Sequence, residues 1–285
     1  KVSKRQFWVA RIARIYPLHI ATLLGVAVIG NLLHPMGWGE GLKHFIPALF
    51  LLHPFVPRMD YFFYFGSPSW SLGCEQLFYL LFPFLALLFY KKQRLVGVLL
   101  VCAVVVPTLM SLTDEANIRG YWYVNPLARF PDFLVGMLLY RAYGWCRSKQ
   151  LSFSTASLLE VGAVCIFLLF YMVSEDLVPK VYRYSCYYWI PISLVLLIFS
   201  LQKGFLSRIL SNKYLVVGGD ISYSFYLIHL WVILAYVELA QTYDWHISLY
   251  ISIPLIFAVT IALSLLSYYY FEKPANRLVK RILNK

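Results

Sequence analysis

The chain alternates long apolar blocks with short polar connections. A bilayer core about 30 Å thick needs about 20 apolar residues in helical form, and eight blocks approach that length. The predicted spans are residues 16–33, 71–90, 95–112, 127–145, 155–173, 185–201, 222–240 and 248–271. Since no polar stretch is long enough for a core of its own, the pattern predicts an all-α polytopic membrane protein with a single domain over residues 1–285.

A ninth apolar block, residues 44–57 (HFIPALFLLHPFVP), differs from the others because it is short and contains three prolines. It is too short for an ordinary crossing. We therefore predict a re-entrant or interfacial segment, whose backbone must be covered by protein or water because bare amides in lipid are costly.

The distribution of basic residues predicts the orientation. If residues 1–15 are cytoplasmic, eight crossings leave 19 of the 25 lysines and arginines on the inside, as the positive-inside rule requires. The prediction is a multi-pass protein of the inner (plasma) membrane with its N-terminal basic loop and C-terminus in the cytoplasm. The net charge of +12 is then mostly a topology signal, and no aromatic-and-basic arrangement indicates nucleic acid.

The composition agrees with this class and offers no metal site. Apolar residues make up 61% of the chain and charged residues 13%, against roughly 25% charged residues in soluble domains. The five cysteines form no C-x-x-C pair and no spacing typical of metal ligands. We expect no metal.

Candidate chemistry rests on the few polar groups inside the spans, where charge is costly. In WSLGCEQLFYLLFP (70–83), Glu75 shares a helical face with Ser71, Phe78, Tyr79 and Phe82. It lies about 6 Å inside the predicted outer end. Glu75 either holds helices together through hydrogen bonds or takes part in the chemistry.

The segment NPLARFPDFLVG (125–136) holds Arg129 and Asp132 one turn apart, so the two can pair with each other. That pairing is the structural interpretation. Their predicted depth is comparable with that of Glu75, and the functional interpretation is a polar cavity that opens outward.

Two histidines lie inside spans. In GDISYSFYLIHLW (219–231), Asp220 or Ser222 can cap a helix, and His229 lies seven to nine residues inside that helix. His19 is near the predicted inner surface. A single histidine on an apolar helix is more often a structural group than a base. Glu75, Arg129 and His229 are the candidate catalytic residues.

Five motifs together carry a resemblance: FWVARIARIYP (7–17), WSLGCEQLFYLLFP (70–83), RFPDFLVG (129–136), SYSFYLIH (222–229) and FEKPANR (271–277). In this order they resemble acyltransferase family 3, the integral-membrane acyltransferases. The resemblance implies transfer of an acyl group, usually acetyl from acetyl-CoA, to a hydroxyl of a cell-surface or exported glycan.

The resemblance also associates the R-x-x-R pair, Arg11 and Arg14, with the acyl donor. Guanidinium groups bind phosphate oxygens through bidentate, charge-assisted hydrogen bonds, and CoA carries a pyrophosphate and a 3′-phosphate. The alternative is that the two arginines only fix topology. In that case lysine would serve equally well.

One departure from the family concerns the base. The resemblance implies about ten spans with a histidine base in the first, whereas this chain starts at Lys1, within fifteen residues of the first family motif. The expectation is that two upstream spans and the base are missing, and that these 285 residues alone do not transfer acetyl groups.

The predicted mechanism brings the donor from inside and the acceptor from outside. Acetyl-CoA binds at Arg11 and Arg14, while Glu75 and Arg129 orient the acceptor or the base. Sugar specificity is expected in outer loops such as 58–69 and 113–126. The alternative function is a transporter or flippase of glycan intermediates, which predicts inverted repeats with matching broken spans; no such pairing is visible.

Overall fold

A computed structural model describes residues 3–33, 38–64, 67–245 and 247–283. Residues 65–66 of the predicted outer loop 58–69 lie outside these ranges. The described residues form fourteen α-helices: α1 Lys4–Leu33, α2 Trp38–Leu49, α3 Met59–Phe62, α4 Trp70–Leu88, α5 Lys92–Ser111, α6 Phe130–Cys146, α7 Phe153–Leu177, α8 Lys180–Arg183, α9 Trp189–Ser200, α10 Phe205–Leu210, α11 Lys213–Asp220, α12 Ser222–Thr242, α13 Leu249–Ser267 and α14 Lys273–Leu283.

The prediction of an all-α polytopic membrane protein is confirmed. Within the described residues, six helices are long and apolar enough to cross a membrane: α1, α4, α5, α7, α12, and α13 with its continuation through a π-helical turn into α14. Lipid favours such helices because they satisfy every backbone hydrogen bond internally.

Two predicted spans are helical but shorter than predicted. Span 127–145 becomes α6, with 17 residues, and begins only after Arg129 because Pro131 occupies the first turn, where its missing N–H does no harm. Span 185–201 becomes α9, with 12 residues, preceded by the 3₁₀ turn Cys186–Tyr188. The hydropathy pattern predicted both helices but not the turns that precede them.

The short block 44–57 contains the end of α2, a left-handed Leu51 with φ of 55°, and the 3₁₀ turn His53–Phe55. It packs closely on α4. A β-carbon added to Gly73 would lie 2.7 Å from Pro54 Cγ and 2.8 Å from Leu51 O, so only glycine fits here. At 12 residues, α2 spans about 18 Å, which is less than a bilayer core.

The described residues group into two compact units, Lys1–Leu80 with Val217–Lys285, and Leu81–Val216. In the first unit α1 packs against α12 and α14, and α12 packs against α13. Its main apolar core contains Ile15, Leu18, Leu51, Leu72 and Leu227. The single domain over residues 1–285 stays a prediction.

In the second unit α5 packs against α6, and α9 packs against both α6 and α7. Phe89, Leu95 and Leu134 form its buried apolar cluster. The unit also contains a buried carboxylate, Glu160 of α7, whose two oxygens accept hydrogen bonds from the start of α10. The sequence predicted no role for Glu160.

The eight-crossing topology remains a prediction that labelling can test. Lys92 begins α5, and Ala116 lies in the 3₁₀ turn Glu115–Asn117. With single cysteines in a cysteine-free background, we expect a membrane-impermeant thiol reagent to label position 116 from outside and position 92 only after the membrane is opened. Labelling of position 92 from outside would contradict the topology.

Candidate functional site

The arginine pair lies in the first half of α1, one turn apart on one face. The Arg11 guanidinium carbon lies 5.3 Å from the Phe7 ring centroid and 4.8 Å from the Tyr79 ring centroid, in the geometry of cation–π contacts. Its Nε atom is buried and has no hydrogen-bond partner among the described residues. Arg11 is thus held in place while part of its hydrogen-bonding capacity remains unused.

Beside these arginines is an open pocket of about 550 Å³, which we call the basic pocket. Its other wall is the C-terminal helix α14, from which Lys273, Arg277 and Lys280 line the pocket. These three residues are spaced i, i+4, i+7 and so share one helical face. The two chain ends are tied together where Arg5 Nη2 donates a hydrogen bond to Leu283 O at 2.8 Å.

Five cations therefore face one pocket, and a single carboxylate, Glu272, accompanies them. Glu272 is only 7% exposed and accepts a hydrogen bond from Ser224 Oγ at 2.8 Å. The excess of positive charge makes the pocket suitable for a polyanion. The FEKPANR motif was part of the family resemblance, but the sequence predicted no role for α14. The spacing of the basic residues in α14 was nevertheless visible in the sequence.

A second pocket, of about 510 Å³, also includes Arg11 in its lining. We call it the apolar pocket because its walls are mostly apolar and aromatic side chains, including Trp8, Ile15 and Leu51. Polar atoms at its wall include Tyr16 Oη, which donates to Gln76 Oε1 at 2.8 Å. Arg11 therefore lines both the basic pocket and the apolar pocket.

Glu75 is linked to this arginine through Tyr79. The Tyr79 hydroxyl donates to Glu75 Oε2 at 3.2 Å, one turn away on α4, and the ring of Tyr79 carries the Arg11 guanidinium. The indole of Trp8 donates to Tyr79 O at 3.0 Å, which fixes α1 against α4. The shared face of Glu75 and Tyr79 was predicted; their link to Arg11 was not.

The pairing predicted for Arg129 and Asp132 is present. Arg129 Nη1 donates to Asp132 Oδ2 at 3.0 Å, and Arg129 Nε donates to Tyr123 O at 2.9 Å. Asp132 Oδ1 accepts from Ser185 Oγ at 3.2 Å and from Trp189 Nε1 at 2.5 Å. Arg129 and Asp132 lie in the second unit and Glu75 in the first, and a common outward cavity stays a prediction.

His229 is held by its own helix. Its Nδ1 lies 2.7 Å from Tyr226 O and 3.3 Å from Phe225 O. Because a carbonyl oxygen can only accept, Nδ1 is the donor in these contacts. His229 lines neither the basic pocket nor the apolar pocket.

Three histidines among the described residues of the first unit are buried: His19, His44 and His53. His19 Nε2 lies 3.0 Å from Ala48 O, which agrees with a structural role in joining α1 to α2. His53 Nε2 lies 3.3 Å from Ser69 Oγ. Burial, and to a smaller extent the charge of a protonated His19, lowers the pKa of His53 to about 4, so this ring is neutral near pH 7. Sequence reasoning gave His53 no role.

The fold and these pockets define a class: a polytopic helical membrane protein that can bind a large anion beside an apolar cleft. The family model of acyltransferase family 3, described as an acyltransferase domain, matches residues 1–269. The chain belongs to this family. No solved structure matches it.

Curated relatives agree with the family assignment. Acyltransferase MdmB of Streptomyces mycarofaciens is 28% identical over 259 residues, which cover 82% of this chain and 62% of that protein. The "Putative peptidoglycan O-acetyltransferase YrhL" of Bacillus subtilis is 29% identical over 301 residues, with 95% and 45% covered. The chain thus spans about half to two thirds of the length of these relatives.

Proposed function

We propose that this chain is the membrane domain of an O-acyltransferase that moves an acetyl group from cytoplasmic acetyl-CoA to a hydroxyl of a cell-surface or exported glycan. Membership of acyltransferase family 3 supports the reaction class. The observation that carries the donor assignment is the basic pocket, which brings Arg11 and Arg14 together with three cations of α14.

The shape of CoA fits the pair of pockets in the first unit. Its 3′-phosphate and pyrophosphate need several cations, preferably guanidinium groups that bind phosphate in a bidentate manner. Its pantetheine arm is thin, largely apolar and carries amides. The basic pocket suits the phosphates, and the apolar pocket, with Gln76 and Tyr16 at its wall, suits the arm. Arg11 lines both pockets.

In the proposed reaction the acceptor hydroxyl attacks the thioester carbonyl, a base takes the hydroxyl proton, and CoA leaves as the thiol. Glu75 would orient the acceptor or the base, because Tyr79 connects it to the arginine that holds the donor. Arg129 and His229 remain candidates for the same task. We also propose a plasma-membrane location; the charge distribution supports an orientation in which the basic pocket faces the cytoplasm.

The test is thioester consumption. Membrane vesicles that contain the protein at its full natural length are given labelled acetyl-CoA, and free CoA thiol and acetylated glycan are measured. We expect thiol release that depends on the protein and on a glycan acceptor. Glycan movement across the membrane without thiol release would instead support a transporter or flippase and overturn the proposal.

A conservative substitution tests the donor arginines. Arg11→Lys or Arg14→Lys keeps the charge but loses the planar fork, so affinity for acetyl-CoA should fall by about 1–3 kcal/mol, the cost of one charged hydrogen-bonding site. The measurement is the KM for acetyl-CoA in membranes, with protein amounts matched. As a control, Lys213→Arg, on α11, should leave that KM unchanged. Unchanged KM values in both arginine variants would indicate that Arg11 and Arg14 act only as a topology signal.

A further inference from the structure

The second unit has a pocket of its own, which we call the outer pocket because it lies at predicted outer segments. Its volume is about 320 Å³, within the range of roughly 300–1,000 Å³ typical of small-molecule sites. Tyr123 comes from the predicted outer loop 113–126, and Arg183 and Tyr184 come from the end of α8 and the residue after it. The starts of α6 and α9 complete the walls.

One cation of the outer pocket is already neutralised. The two oxygens of the Asp132 carboxylate accept hydrogen bonds from Arg129, Ser185 and Trp189. The Arg129 guanidinium also lies 5.2 Å from the Tyr123 ring centroid. These contacts use both oxygens of Asp132 and fix Arg129 as a wall. Asp132 is therefore occupied within the pocket.

The other cation, Arg183, is not neutralised. Its Nε atom is buried and has no hydrogen-bond partner among the described residues, and none of the ion pairs described there includes it. A buried donor without a partner is costly, and an unpaired guanidinium most readily binds a planar anion in a bidentate manner. With Arg129 balanced by Asp132, the outer pocket carries one positive charge in excess.

The remaining walls are aromatic and hydroxylic. The Tyr123 and Tyr184 rings pack at 5.3 Å and 61° to each other, and Tyr188 and Trp189 also face the pocket. Tyrosine and tryptophan combine an apolar face with a polar edge. A sugar ring has the same combination, with C–H groups on its faces and hydroxyl groups at its edge.

We propose that the outer pocket is the acceptor subsite and that it takes a sugar ring bearing a carboxylate, with Arg183 binding that carboxylate. The assignment rests on the proposed function, since it reads the pocket as the acceptor side of an O-acyltransferase. Asp132 and Arg129 form the fixed wall, and the aromatic rings pack on the sugar face. The excess charge thereby selects acidic over neutral glycans.

The test measures binding without acyl donor, so it is independent of acyl transfer. Ligand-observed saturation-transfer NMR on detergent-solubilised protein uses two matched pairs: methyl glucuronide against methyl glucoside, and N-acetylmuramic acid against N-acetylglucosamine. In at least one pair we expect the acid to bind more tightly. Arg183→Gln should weaken that binding about 10- to 100-fold, the range for a lost charge-assisted contact.

The matched control is Lys180→Gln, which removes one positive charge from the same four-residue helix but does not line the pocket. It should bind the acidic sugar as the unchanged protein does. If Arg183→Gln does not fold, Arg183→Lys serves instead. We expect Arg183→Lys to bind the acidic sugar more weakly than the unchanged protein does, and to bind the neutral sugar with the same affinity.

Three results would overturn the proposal: no preference for the acid in either pair, equal weakening by Lys180→Gln, or tighter binding of methyl glucoside 6-phosphate than of either acid. The last would indicate a phosphate, as in a lipid-linked sugar. If the protein at its full natural length binds the acidic sugar but releases no CoA thiol, the acceptor subsite stands and the acyltransferase function is refuted, so the two failures are distinguishable.

Discussion

Glu75→Gln should lower acyl transfer by about 100-fold or more, the scale of a group that takes part in or positions proton transfer, while the KM for acetyl-CoA stays unchanged. Gln keeps the shape of Glu, and its amide oxygen can still accept the hydrogen bond that Tyr79 donates at 3.2 Å. The substitution removes the negative charge and replaces one accepting oxygen by an amide N–H donor group. We therefore expect the variant to fold as the unchanged protein does and to transfer acyl groups slowly.

The measurement separates kcat from KM in membranes with equal protein. Arg11 lies over the Tyr79 ring, and no hydrogen bond or ion pair among the described residues joins it to the Glu75 carboxylate. A change in Arg11 should therefore act mainly on KM and a change in Glu75 mainly on kcat. Tyr79→Phe keeps the ring beneath Arg11 and removes the hydroxyl, so it should lower kcat less than Glu75→Gln does.

The matched control is Glu238→Gln, which removes an exposed carboxylate from α12 in the same unit. It should leave both constants as they are. Full activity of Glu75→Gln would make Glu75 a structural residue and would remove it from the candidate catalytic set.

Glu160→Ala should produce the largest loss of stability, a fall in the free energy of unfolding of about 3–5 kcal/mol, since several buried donors lose their acceptor at once. Glu160 is 1% exposed. Its carboxylate accepts from the backbone N–H groups of Gly204, Leu206 and Ser207 and from Ser207 Oγ. These are the N–H groups that the start of α10 leaves without helical partners.

Gly204 supports the same interpretation, because a β-carbon there would lie 2.4 Å from the Glu160 carboxylate. The measurement is thermal unfolding of the detergent-solubilised protein. Glu160→Gln should fall between the native protein and Glu160→Ala, since an amide offers only one accepting atom. Glu175→Ala, an exposed carboxylate on the same helix, should change stability by less than about 0.5 kcal/mol. An unchanged melting temperature for Glu160→Ala would refute the capping role.

Features that depend on neighbours along one helix could be predicted. Arg129 with Asp132 and Glu75 with Tyr79 are one turn apart, and both pairs are present at 3.0 and 3.2 Å. The helix geometry fixes which side chains can meet at that spacing. The start of α6, by contrast, was misjudged, because Pro131 and the turn before it act through local backbone geometry that an average of hydropathy does not contain.

Features that join distant segments could not be predicted. His53 with Ser69, and Glu160 with Ser207, pair residues from different helices or turns. No spacing rule connects them. Likewise, the basic face of α14 was visible as a pattern, but its position opposite Arg11 and Arg14 was not.

The sequence by itself determined the class of the protein, the approximate positions of its long helices and the predicted orientation, because a bilayer requires apolar helices with internally paired backbones and leaves positive charge inside. The cost of charge inside a span marked Glu75 as a candidate, and the family motifs added Arg11 and Arg14. Only the tertiary structure decided which cations share a pocket: α14 with α1 in the first unit, and Arg183 with Arg129 in the second. The physical reason is that pockets form where packed helices bring together residues from distant parts of the chain, and that packing depends on side-chain shape across helices, which no local pattern records.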